Sequence, residues 1–244
     1  MDVELCKIMG FGPSLIFSQM ERATGDPEKN MIVDTFAEWQ VSKLQKVPTA
    51  AKSVTIGKSA DYVFSILSDA GHLEKFHPFC QQNVATSWGV DERKDVIHYY
   101  SGLRYERQFI SWDEGRGFQL LLGASREKRS LVIWSLQEID AENCKLSISV
   151  SPYPYARYPY VANWVAHKLW IEPRLESYLF SVLQGLKRFA ETGQTVRQNQ
   201  WGSNPWVASR TQDKIHLGSN AARPGNVRNQ AKFRHLIKST YAVL

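Results

Sequence analysis

Between Gln81 and Val150 the chain alternates apolar and polar residues with a period of two, in six runs at 83–89, 95–101, 105–112, 117–124, 130–139 and 145–150. Successive side chains of a strand point to opposite faces, so this period marks strands with one buried face. The linkers between them are short and rich in turn formers, such as Asp91-Glu92-Arg93, Gly102 and Asp140-Ala141-Glu142-Asn143. Consecutive strands joined in this way predict an antiparallel meander. The inner face of such a sheet cannot bury itself and requires a partner. The partner follows in the sequence, where the period changes to 3.6 and Leu175, Tyr178, Leu179, Val182, Leu183, Leu186 and Phe189 fall on one helical stripe. A continuous helix over 161–190 would reach ~45 Å. Pro173 is expected to kink it or to separate two helices, and Gly193 stands where a helix stops.

Upstream of the meander, 52–56 reads as a short strand with Val54 and Ile56 on one side. Ser59 occupies an N-cap position before Tyr62, Val63, Ile66 and Leu67, the apolar face of a short helix. Asp69-Ala70-Gly71 ends that helix, and 72–77 makes a second turn or short helix before Pro78. This order predicts an α+β domain over 50–193, a curved antiparallel sheet wrapped around a long C-terminal helix with a space between them. Residues 1–49 form an accessory arm, with a helix at about 29–44 presenting Ile32, Phe36, Trp39 and Leu44.

The residues in this order resemble a known superfamily. The match runs through Val54 and Ile56, Ser59-Ala60-Asp61-Tyr62-Val63-Phe64, Leu67-Ser68-Asp69, and Leu73-Glu74-Lys75-Phe76-His77-Pro78. It continues through Tyr105-Glu106-Arg107-Gln108-Phe109-Ile110-Ser111-Trp112-Asp113. The pattern is similar to that of the START-like or Bet v 1-like (SRPBCC) superfamily of polyketide cyclases/dehydrases and lipid-transport proteins, and covers about 50–193. The resemblance implies a helix-grip fold with an internal cavity and a small hydrophobic or amphipathic ligand, such as a lipid, quinone or polyketide-like molecule. It implies no single reaction, since carriers, sensors, cyclases and hydrolases share the fold. The N-terminal arm, the Pro/Tyr-rich stretch at 152–160 and a basic tail depart from a minimal member.

Strand alternation sorts the candidate site residues. His98, Tyr100, Tyr105, Arg107 and Trp134 are expected to line the cavity, although a one-residue slip of register reverses any such assignment. Tyr105, Phe109 and Trp134 from the sheet, with Tyr178 and Val182 from the helix, would contact ligand. In an enzyme of the cyclase, aromatase or dehydratase kind, His98 would shuttle a proton, Tyr100 would donate to a carbonyl and Arg107 would hold an oxyanion. The alternative is that His98 and Arg107 lie solvated on the outer face. Asp69, His72, His77 and Cys80 do not make a metal-ligand set at zinc-like spacing, so no metal is expected, and no cofactor. The 152–160 stretch is either a lid at the cavity mouth or a rigid connector.

Charge divides the chain unevenly. Residues 194–244 hold eight Lys and Arg against Asp213 alone, a surplus of seven that exceeds the +6 of the whole chain. A basic tail, partly docked through Trp201 and Trp206, permits weak contact with an anionic membrane surface or a nucleic acid through 210–244. The third functional reading is therefore an interaction module acting through this tail. No apolar run approaches the ~18 residues that span a bilayer, and Asp2 and Glu4 sit where a secretory leader carries positive charge. With three unpatterned cysteines, these features predict a cytoplasmic protein.

Overall fold

A computed structural model describes residues 27–126, 128–153 and 171–207. Their elements are α1 (Pro27–Leu44), β1 (Ala50–Ile56), α2 (Ala60–Ser68), α3 (Leu73–Phe76), β2 (Cys80–Trp88), β3 (Arg93–Tyr99), β4 (Arg104–Asp113), β5 (Gly117–Ser125), β6 (Lys128–Asp140), β7 (Asn143–Ser151) and α4 (Glu172–Thr192). The strands form one seven-stranded antiparallel sheet in the order β1-β7-β6-β5-β4-β3-β2. Strands β2 to β7 are therefore a pure meander, and β1 closes the sheet by pairing with β7, Ala50 opposite Val150 and Ile56 opposite Cys144. This is the helix-grip arrangement that the START-like resemblance implies.

Local chemistry accounts for the junctions. Ser59 caps α2, its Oγ accepting the Tyr62 amide at 3.3 Å. Helix α2 then buries Val63, Phe64, Ile66 and Leu67. Helix α4 begins with Pro173 in its first turn, where the absent N–H is lost at no cost. Pro173 thus stands in the first turn of the described helix; the part of the expected helix before Ile171, and with it the expected kink or junction, lies outside the described residues. At the other end Gly193 takes the left-handed conformation (φ 69°) and its amide reaches the Phe189 carbonyl at 2.8 Å.

Helix α4 buries Leu175, Leu179, Val182, Leu183 and Leu186 against the inner sheet face. Each such side chain stabilises the fold by about 1.5–3 kcal/mol. Its exposed flank is fastened to β1 by Lys187 Nζ on the Thr55 carbonyl (2.6 Å) and by the Gly57 amide donating to Glu191 (2.8 Å). Helix α1 packs on the opposite, outer face, where Ala37, Val41 and Leu44 meet Leu121, Leu131 and Ile133. After α4 the chain returns across α3, with the Val196 amide on the Lys75 carbonyl and the Asn199 amide on that of Pro78. Asn204 and Val207 are buried there, and the Val207 carbonyl accepts the Ser101 amide.

Candidate functional site

The inner face of the sheet and α4 enclose a narrow cavity. Its wall is mainly apolar, supplied by β3, β5, β6 and β7 together with Leu179 and Val182 of α4. Four polar side chains interrupt it: His77, Tyr99, Arg107 and Tyr178. The cavity measures about 50 Å³. A water takes up about 30 Å³ and organic ligand sites typically measure hundreds, so the space as it stands admits a molecule of solvent size. Aromatic side chains occupy much of the remaining interior. Trp112 stacks on Phe118 (5.1 Å between centroids), Phe118 stacks on Trp134 (5.6 Å), and Trp134 meets Phe76 edge-on (6.4 Å).

Three of the polar groups form a chain. Nδ1 of His77 accepts the Phe79 amide at 3.2 Å, which leaves the ring proton on Nε2. That Nε2–H donates to the Tyr178 hydroxyl at 2.8 Å, and the Tyr178 and Tyr99 hydroxyls lie 3.2 Å apart. Three hydrogens thus serve two links, so one phenolic O–H remains for an acceptor in the cavity. Tyr105 packs edge-on against Tyr99 (5.7 Å), and its buried hydroxyl has no hydrogen-bond partner among the described residues.

Arg107 belongs to a second network. Its Nε donates to Asp95 Oδ1 at 2.6 Å and its Nη2 to Asp95 Oδ2. Nη2 also approaches His72 Nε2 (3.4 Å) and Asn83 Oδ1 (3.5 Å). His72 donates its Nδ1–H to the Asp69 carbonyl at 2.8 Å, so Nε2 is the acceptor that faces the guanidinium. Asn83 completes the assembly by accepting the Leu73 amide and donating to the Val96 carbonyl. The network joins α3 to β2, β3 and β4, and the other terminal nitrogen of Arg107, Nη1, makes no hydrogen bond among the described residues.

Burial sets the protonation states. It lowers both His72 and His77 to about 3, and the positive charge of Arg107 adds to the effect in each case. Burial raises the phenols of Tyr99, Tyr105 and Tyr178 far above their usual range. The Cys80 thiol, also desolvated, is pushed up to about 12. The site therefore holds neutral imidazoles and neutral phenols across the physiological pH range.

The expected site residues separate into two groups. Tyr105, Arg107 and Trp134 are buried on the inner face, Tyr178 and Val182 meet them from α4, and half-buried Phe109 packs edge-on against Trp88 and Phe118. His98 and Tyr100 are not on the cavity wall. On β3 it is Ile97 and Tyr99 that reach the cavity, so His98 points to the other face and Tyr100 lies half-buried in the turn beyond the strand. The reason is that β3 is buried on both faces, Asp95, Val96 and Ile97 all being withdrawn from solvent, so alternation does not identify the inner side. Tyr99 and His77 were the site residues missed by strand alternation. The Ile97/Tyr99 pair was the available signal for one, whereas nothing in the spacing pairs His77 with Tyr178. Of the metal candidates, His72 and His77 are engaged as described, and no group of three or more His, Cys, Asp or Glu gathers among the described residues. The 154–160 part of the Pro/Tyr stretch and the tail beyond 207 lie outside the described residues. Among those described, no helix is long and apolar enough to cross a membrane.

No protein-family model matches the sequence, and no curated protein matches it. Solved structures match part of the chain at low identity. The di-domain aromatase/cyclase BexL from the BE-7585A biosynthetic pathway is 11% identical, with a TM-score of 0.47 over 59% of this chain and 47% of that one. DynU16, from the dynemicin biosynthetic locus, is 14% identical, with a TM-score of 0.47 over 61% and 49%. The Zhui aromatase/cyclase from Streptomyces sp. R1128 is 15% identical, with a TM-score of 0.40 over 61% and 99%. The chain spans about half the length of the first two. Likenesses of this strength carry no argument about chemistry, which rests on the chain's own residues.

Proposed function

We propose that the protein binds one small, mainly apolar molecule carrying an oxygen acceptor in the space between the sheet and α4. The observation that supports this reading is the unsatisfied hydrogen count of the His77–Tyr178–Tyr99 chain, which leaves an O–H donor at the wall of an otherwise apolar cavity. Such a site holds a ligand body by burial and fixes its orientation through one polar end. Because the space is about 50 Å³, a ligand larger than solvent enters by displacing an aromatic side chain or by a shift of α4. Carrier or sensor action fits this better than a cyclase, aromatase or dehydratase. Proton transfer at neutral pH is most efficient from groups that titrate near it, and the imidazoles and phenols here are moved away from neutrality in opposite directions.

Paired probes test the reading. Acetophenone and ethylbenzene differ by the carbonyl oxygen, and binding can be followed through tryptophan fluorescence quenching. Acetophenone is expected to bind more tightly, with the preference falling by about two- to tenfold, the range of one hydrogen bond, in the double variant Tyr99→Phe/Tyr178→Phe, which removes both phenolic donors. Equal binding of both probes removes the oriented-acceptor part of the reading, and binding of neither removes the cavity ligand altogether. Native mass spectrometry with solvent extraction of freshly purified protein then identifies the class of any natural ligand.

A further inference from the structure

The outer face of the sheet carries a second polar space, where α1 crosses it. It measures about 170 Å³, and its wall includes Phe36 of α1 with Lys94, Arg104, Arg126 and Arg129. Asp95 and Arg107 also border it, but they are ion-paired with each other, and Lys94 is paired with Glu92. Among the described residues the wall then retains Arg104, Arg126 and Arg129 against the single carboxylate of Glu106.

Arg129 is the unusual member. It is only 6% exposed, yet its hydrogen bonds go to neutral acceptors, Nε to the Arg126 carbonyl (3.0 Å) and Nη1 to Gln108 Oε1. No carboxylate forms an ion pair with it among the described residues, and its Nη2 donates to none of them. Withdrawing a guanidinium from water without a counter-ion is unfavourable. Burial and the neighbouring charge of Arg126 accordingly lower its pKa to about 10, and Glu106 offsets this only in part. The exposed Arg104 and Arg126 stand at the rim of the same space. Guanidinium groups present paired donors that match the oxygens of a tetrahedral anion. At about 30 Å³ per water, the pocket has room for such an anion and part of its hydration shell.

We propose that this outer pocket is a binding site for a small free oxyanion of the phosphate type, held by Arg129 within and by Arg104 and Arg126 at the rim. The site lies on the opposite face of the sheet from the interior cavity, with Arg107 bordering both. A bound anion would give the buried guanidinium a counter-ion that no described residue supplies, and its occupancy would be felt by α1, which is tied to the same turn by Gln40 Nε2 on the Arg126 carbonyl (2.9 Å).

Inorganic phosphate is the probe, titrated into the full chain at constant ionic strength against chloride, with thermal midpoint and 31P NMR line width as readouts. A saturable rise in the midpoint with phosphate line broadening is expected. The double variant Arg104→Gln/Arg126→Gln replaces two exposed side chains and leaves the fold intact, and it is expected to weaken phosphate binding by about tenfold or more. Arg129→Gln should abolish binding; if it does not fold, the double variant decides. Absence of a saturable response, or an unchanged affinity in the double variant, overturns the site. Binding to phosphatidic acid vesicles without binding to inorganic phosphate overturns the free oxyanion as its occupant.

Discussion

His72 and His77 sit five residues apart in the sequence at the α3 corner and carry their protons on opposite ring nitrogens. Each is fixed by a backbone group on one side and by a site residue on the other, Arg107 for His72 and Tyr178 for His77. The consequence is a pH-dependent stability whose sign follows from burial. In the unfolded chain an imidazole takes up a proton near 6.5, whereas in the folded protein both remain neutral down to about 3. Between these values the unfolded state binds more protons, so stability is fully present above 6.5 and is lost as the pH falls. Each histidine contributes a slope of about 1.4 kcal/mol per pH unit within that window. Urea unfolding between pH 6.5 and 4.5 should show the combined slope, and His77→Asn should remove about half of it. An unchanged slope in the variant would mean that His77 is not held neutral. These roles are poorly legible in sequence, because His77 meets Tyr178 across 101 positions and a local reading offers only a corner-capping histidine.

The elements were far more legible than the contacts between them. Every strand of the meander was visible as a period-two run, because turns rich in Asp, Gly and Asn interrupt an alternation that the half-buried sheet enforces. The run at 95–101 locates β3 but not its inner side, since burial of both faces removes the polar half of the alternation. In α4 the stripe of Leu175, Leu179, Val182 and Leu186 identifies the buried side, but nothing in its spacing shows how near another element comes at Gly185. That glycine faces the carbonyl of Phe76 at the end of α3, and a Cβ built there would overlap the oxygen. The contact is backbone against backbone, so no side-chain rotation relieves it. Gly185→Ala should therefore push α4 away from α3 and destabilise the protein by about 1–3 kcal/mol, the range for overpacking in a core. Because Phe76 precedes His77, the same shift should lengthen the His77–Tyr178 bond and weaken any ligand that depends on it. Chemical denaturation measures the first effect and probe affinity the second. A variant of wild-type stability would contradict the close approach.

On the scale of the whole molecule, the sheet is covered on both faces, and the two coverings differ in kind. The inner core joins α2, α3, α4 and the sheet in one large apolar cluster around the cavity, and both buried histidines lie at its α3 corner. The outer cluster is small, with Ala37 and Leu44 of α1 as its buried contribution against Leu121 and Leu131. Resemblance to the START-like superfamily anticipates the first covering and is silent on the second, which belongs to the arm outside the matched region. Removing residues 1–46 should accordingly leave the inner core and its far-UV signal intact. It would uncover Leu121, Leu131, Ile110 and Ile133, an apolar patch in the middle strands of the sheet that monomers rarely leave open to water. The truncated chain is therefore expected to remain folded but to self-associate, which sedimentation velocity over a range of protein concentrations would detect. Collapse of the far-UV signal would instead mean that α1 is required for the sheet to form. A monodisperse folded monomer would mean that some other part of the chain covers the patch. The same truncation removes Phe36 from the outer pocket while keeping Arg104, Arg126 and Arg129. If α1 helps to exclude water around a bound anion, phosphate affinity should fall in the truncated protein while binding of the carbonyl probe in the interior is retained, which separates the two faces of one sheet into two sites.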